Sequence, residues 1–72
     1  MTSDRTIHAR LASGDLIVRH DRAGKWYRES EGQRYPITLR AAVDLATQLN
    51  SIAYLGQPGG GRFDAAVRRR QS

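Results

Sequence analysis

Between Thr6 and Leu11 the apolar residues Ile7, Ala9 and Leu11 alternate with Thr6, His8 and Arg10, the rhythm of a strand. A helix capped by Ser3, with Ile7 and Leu11 one turn apart and Gly14 as its stop, competes for the same residues. The strand is preferred because Ala12-Ser13-Gly14-Asp15 then turns the chain into a second strand, Asp15 to Asp21, centred on β-branched Ile17 and Val18. Arg22-Ala23-Gly24 suits a three-residue hairpin loop with Gly24 in the left-handed conformation. Glu31-Gly32 suits a two-residue loop between a third and a fourth strand, the fourth holding Pro36 and therefore lying near an edge.

These loops predict a register. Asp21 faces Lys25, His20 faces Trp26, Arg19 faces Tyr27 and Val18 faces Arg28. Across the second turn Glu29 faces Arg34 and Trp26 faces Ile37. Opposed residues share a sheet face. One face then carries Leu16, Val18, His20, Trp26, Arg28, Tyr35 and Ile37, and is the core face. The other carries Ile17, Arg19, Lys25, Tyr27, Glu29, Arg34 and Pro36, and is polar and basic.

Thr38 is an N-cap. Leu39, Ala42, Val43, Leu45, Ala46, Leu49 and Ile52 follow at helical spacing, with Arg40, Asp44, Thr47, Gln48 and Ser51 opposite, and Asn50 serves as a left-handed stop. Ile52 to Leu55 reads as a further short strand. Gly56-Gln57-Pro58-Gly59-Gly60-Gly61 interrupts regular structure. Beyond it Phe63, Ala65 and Val67 alternate as in a strand, while Phe63, Ala66 and Val67 fit a short helix nearly as well. The predicted class is α+β: a small antiparallel sheet of three to five strands packed on one amphipathic helix at about residues 38–50. The expected layout is a frayed N-terminus over residues 1–5, one domain over residues 6–68 and a basic tail over residues 69–72.

Seventy-two residues hold one small domain. Such a domain buries only ~60% of the surface of its unfolded chain. Cysteine is absent, so neither disulfides nor thiolate-metal sites brace it. No apolar run has the length of a membrane span, and Met1 to His8 lack the apolar segment of a secretory signal. A cytoplasmic protein without membrane contact is the expectation.

The net charge of +5 and a pI near 10.8 turn attention to polyanions. Of the twelve basic residues only Lys25 is lysine, a usage that a GC-rich genome also writes regardless of function. Lys25-Trp26-Tyr27-Arg28 interleaves basic and aromatic side chains, as a phosphate-contact and stacking platform does. Trp26 is expected in the core and Tyr27 at the surface. The candidate nucleic-acid-binding residues are Arg19, Lys25, Tyr27 and Arg34 on the polar face, extended by Arg68, Arg69 and Arg70.

Other chemistry is poorly provided for. The glycine run leads into Arg62-Phe63 without the lysine and hydroxyl of a phosphate loop, and reads as a mobile hairpin loop. His8 and His20 stand twelve apart, without the short spacing of a metal pair, and His20 is placed beside Trp26. No Gly-x-Ser-x-Gly elbow occurs, and Glu29 and Glu31 lie near a turn where nothing raises a pKa for acid catalysis. No enzyme, metal or cofactor is expected.

The order strand, strand, strand, helix resembles in outline the sheet-plus-helix DNA readers, such as the arm-binding domains of tyrosine recombinases and the plant AP2-type domains. The likeness rests on Gly24-Lys25-Trp26 at a hairpin and the Ala-rich helix after the third strand, covering about half the chain. The strands expected after Asn50 depart from that pattern, and no family follows. The leading expectation is a non-catalytic, basic, nucleic-acid-binding protein with a regulatory or accessory role. The alternative is a protein-interaction module, such as an inhibitor of a larger complex or a mobile-element product. It would act through a strand edge at Ile52–Leu55 or Phe63–Val67, or as a homodimer.

Overall fold

Glu31 and Gly32 both have positive φ, 50° and 77°, so the chain reverses in two residues between Ser30 and Gln33. That turn sets the register the sequence predicts, with Glu29 opposite Arg34 and Trp26 opposite Ile37. The structure is a computed structural model describing residues 4–71. Five strands form one antiparallel sheet in the order β4-β3-β2-β1-β5. They are β1 (Arg5–Arg10), β2 (Leu16–His20), β3 (Lys25–Ser30), β4 (Gln33–Ile37) and β5 (Ile52–Ala53). Two helices, α1 (Leu39–Ala46) and α2 (Gly61–Gln71), share a core with one face of the sheet. The architecture is α+β, with a second helix where the sequence allowed either strand or helix.

The first hairpin differs from its prediction by one residue. Four residues, Asp21 to Gly24, connect β2 to β3, and the Gly24 amide donates to the His20 carbonyl at 2.7 Å. Asp21 is drawn out of the ladder because it serves β1. Its amide donates to the Asp4 carbonyl at 2.7 Å, and its carboxylate accepts from Thr6 Oγ1 at 2.9 Å. Hence His20 pairs with Lys25, Arg19 with Trp26, Val18 with Tyr27 and Ile17 with Arg28. A one-residue slip moves every side chain of a strand to the opposite face. Ile17 and Arg19 therefore join Trp26, Arg28, Tyr35 and Ile37 beneath the helices, while Leu16, Val18 and His20 lie outside with Lys25, Tyr27, Glu29 and Arg34.

A bulge in β1 adds a second change of parity. Ile7 pairs with Val18, but Ala9 pairs with Ile17, which leaves His8 as the extra residue. His8 and Ala9 both turn to the helix side and are fully buried. His8, not His20, packs its ring against Trp26, tilted by 51° with ring centres 4.8 Å apart.

Thr38 caps α1 as predicted, its Oγ1 accepting from the Ala41 amide at 3.1 Å. The helix ends at Ala46, earlier than predicted, because Thr47 Oγ1 donates to the Val43 carbonyl at 2.9 Å and turns the chain away. Asn50 does have positive φ, 70°, but Leu49 and Ile52 leave the apolar face and are 89% and 60% exposed. Ala42, Val43 and Ala46 of α1 meet Ile17 and Trp26 of the sheet and Phe63 and Val67 of α2 in one core. Phe63–Val67 is thus helix, not a strand edge. The frayed start expected for residues 1–5 falls, for residues 1–3, outside the described residues, and Arg5 opens β1. Of the expected tail, Arg69 to Gln71 complete α2 and Ser72 lies outside the described residues. No helix among the described residues is long and apolar enough to cross a membrane.

Candidate nucleic-acid interface

The seven basic and aromatic residues singled out by sequence divide into three places. Lys25, Tyr27 and Arg34 lie on the open face of the sheet. Arg19 lies under the helices. Arg68, Arg69 and Arg70 form the last turn of α2, where cations complement the negative end of the helix dipole. Arg70 pairs with Asp44 of α1 and so ties the two helices together.

On the open face the charges are largely spent on one another. Arg5 reaches diagonally past the Ile7–Val18–Tyr27 row and grips Glu29 with two hydrogen bonds of 2.7 and 2.6 Å. That grip holds the Glu29 carboxyl below its usual range, mainly through the Arg5 hydrogen bonds, and raises Arg5. Arg34 crosses Tyr27, its guanidinium carbon 5.9 Å from the ring centre, and places Nη1 2.7 Å from His20 Nε2. A guanidinium only donates, so Nε2 accepts, and a neutral His20 carries its proton on Nδ1, 3.6 Å from Asp4. Val18 is completely buried beneath this lattice. The face seals an apolar strip; Arg34 pairs with His20 and not with a carboxylate, and Lys25 likewise has no carboxylate partner among the described residues.

The better convergence is at the opposite end of the core, in a cleft of about 860 Å³. Three basic residues line it: Arg19 of β2, Lys25, the first residue of β3 at the edge of the open face, and Arg62 of α2. Trp26, Phe63, Ile37 and Leu39 line the apolar side. Gly59 makes room for the Arg19 guanidinium, and Gly24 stands in ordinary contact with it. A Cβ on Gly24 would stand 3.5 Å from Nη2, and one on Gly59 would overlap Nη1. Asp21 Oδ1, 3.0 Å from Nη1, steadies the group from its other side. Gly61 and Arg62 bring the first turn of α2 to the cleft wall. The first intrahelical amide is that of Asp64, bonded to the Gly60 carbonyl at 2.6 Å, so the amides before it have no partner within the helix. Arg69 follows Arg62 by two turns on the same side of α2, ~10.5 Å further along its axis.

Arg62 is not among the residues the sequence points to, because the glycine run before it has the composition of a hairpin loop. The run is instead the lead-in to a helix. The signal was present in Asp64 early and Arg68 to Arg70 late, the charge order that suits a helix. Among the described residues no three His, Cys, Asp or Glu side chains are grouped to hold a metal. Comparison of the chain with protein-family models, with curated proteins and with solved structures finds no match to any of them.

Proposed function

We propose that this protein is a non-catalytic nucleic-acid-binding protein that takes the phosphate backbone in the cleft between the β2–β3 hairpin and the start of α2. One observation carries the reading: Arg19 and Lys25 of the β2–β3 hairpin and Arg62 of α2 line one cleft at the first turn of that helix. A phosphate oxygen seeks both features, guanidinium or ammonium donors and outward-pointing backbone amides. Lys25 and Arg62 have no carboxylate partner among the described residues, so neither must first give up an ion pair. Arg22, on the hairpin loop, and Arg69 are further exposed cations on the two elements that border the cleft. Tyr27 and Arg34 belong to the sealed open face and are secondary in this reading.

Fluorescence anisotropy of labelled oligonucleotides across a salt series tests it. Three neutralised phosphates give a log–log slope of about −2.1 on a single strand and about −2.7 on a duplex. Combined Lys25→Ala and Arg62→Ala flattens the slope by about two phosphates' worth, whereas Arg34→Ala leaves it nearly unchanged. No binding at low salt, or a slope the double substitution does not alter, refutes the proposal.

A second reading is protein interaction at the β5 edge. Exposed Leu49 and Ile52 favour it, since Ile52 opens a two-residue strand at the edge of the sheet and Leu49 stands just before it. Light scattering coupled to sizing checks the homodimer form. A monomer at high concentration removes it.

A further inference from the structure

His8 is completely buried, and neither ring nitrogen has a hydrogen-bond partner. The same holds for one buried oxygen of Asp64, Oδ1. Unpaired buried polar atoms are few in a native fold, and here two of them, His8 Nδ1 and Asp64 Oδ1, lie beside the same residue. Gly60 is that residue. Its Cα approaches so closely that a Cβ would stand 2.9 Å from His8 Nδ1 and 3.2 Å from Asp64 Oδ1. Trp26 and Phe63 hold the imidazole, with ring centres 4.8 and 5.3 Å away. The residue that closes over the imidazole therefore belongs to the segment that forms the cleft wall, Gly59 to Arg62.

We infer that His8 is a positioning residue for the cleft: its neutral ring seats the Gly59–Gly61 segment, and gaining a proton unseats that segment and weakens anion binding. The inference rests on the anion-binding reading of the cleft. A neutral imidazole tolerates an aromatic slot. An imidazolium has two donors and a charge, and in the seated geometry neither ring nitrogen makes a hydrogen bond, to Asp64 Oδ1 or to any other atom. The charged groups that face it are Asp64 from α2, Arg19 from β2 and Asp21 from the β2–β3 connection. Asp64 and Asp21 favour the proton, Arg19 opposes it, and burial opposes it most, so the ring titrates below its ordinary range. The sign follows. Opened or unfolded chains take up the proton first as pH falls through ~6.5, so the seated state loses ground from there downward and is unaffected above it. Asp64 cannot simply swing to meet the charge, because its other oxygen accepts from the Gly56 amide at 2.7 Å.

The expected direction opposes the usual one. Acid adds positive charge to a protein and ordinarily strengthens its hold on a polyanion. Here binding of a fluorescein-labelled single strand of about twelve nucleotides weakens about three- to tenfold between about pH 7.5 and about pH 5.5. In ligand-free protein Trp26 emission changes over the same range, since the imidazole touches the indole, while far-UV circular dichroism stays constant. His8→Gln removes both changes. Asp64→Asn keeps the Gly56 bond through its amide oxygen but removes the charge that favours the proton, and moves the Trp26 midpoint to lower pH. That second variant decides the matter if His8→Gln does not fold.

The inference is overturned by a flat Trp26 titration in the native protein, by an unchanged titration in His8→Gln, or by an Asp64→Asn midpoint that stays put. Loss of circular dichroism in step with the emission also overturns it, since that is global unfolding. Absence of oligonucleotide binding at every pH overturns the anion reading and the coupling with it. The ligand-free Trp26 titration then still reports whether His8 seats the segment.

Discussion

Phe63→Ala is expected to leave most of the chain unfolded at 25 °C. Phe63 is fully buried and is among the largest side chains that are. It stacks on Trp26 at 4.9 Å, meets the edge of His8, and joins α2 to the sheet. Removing such a ring costs ~3–5 kcal/mol, the lost transfer energy plus the cavity left behind. A single core in a chain of this size supplies little more than ~3–5 kcal/mol in total. The two figures nearly cancel, so the folded population collapses. Thermal melts by far-UV circular dichroism and a red shift of Trp26 emission read the loss directly. Leu49→Ala, at an 89% exposed position, provides the contrast and shifts stability by no more than ~0.5 kcal/mol. A Phe63→Ala protein that melts within a few degrees of the native one contradicts the packing described.

That core was half legible in the sequence, and the two halves differ for physical reasons. Local chemistry could be read. Thr38 caps a helix, Glu31-Gly32 forces a two-residue turn, and the third and fourth strands pair as predicted. The class and the burial of Trp26 followed from these. What could not be read was decided by partners distant in sequence. Leu16-Ile17-Val18 is apolar throughout, so alternation cannot say which face of β2 is buried, and a connection one residue longer reversed it. In the structure both Ile17 and Val18 are fully buried, one under the helices and one under the Arg5–Glu29 and Arg34–His20 lattice. The bulge at His8 leaves no trace in a polar–apolar pattern either, since it exists to bring two consecutive residues to one side. The predicted grouping of Arg19 with Tyr27 and Arg34 was divided by the same reversal. Arg19 left the company of Tyr27 and Arg34 and joined Lys25 and Arg62 instead. Arginines could be counted from sequence, but their convergence depended on two parities and on α2 being a helix.

Gly60→Ala is expected to cost ~3 kcal/mol, the upper part of the usual range for overpacking. The new Cβ would lie 2.6 Å from His8 Cε1 and 2.9 Å from Nδ1, inside any tolerable contact. The imidazole has nowhere to retreat, being fully buried between Trp26 and Phe63. So the backbone must lift, carrying Gly59 off Arg19 and the first turn of α2 off its seat. In a domain this small the melting temperature then falls by roughly 12–24 °C. Gly61→Ala, one residue on, separates sterics from chain stiffness. A Cβ there meets nothing within 4 Å, and the helical position gains from alanine, so that variant melts at or above the native temperature. His8→Ala supplies the complementary half of a cycle. It empties the slot into which the Gly60→Ala methyl points, so the doubly substituted protein is more stable than the sum of the two single losses, by ~1 kcal/mol or more. Additive losses place the cost of Gly60→Ala somewhere other than the imidazole, and the close approach of Gly60 to His8 would then not govern how the cleft wall is held.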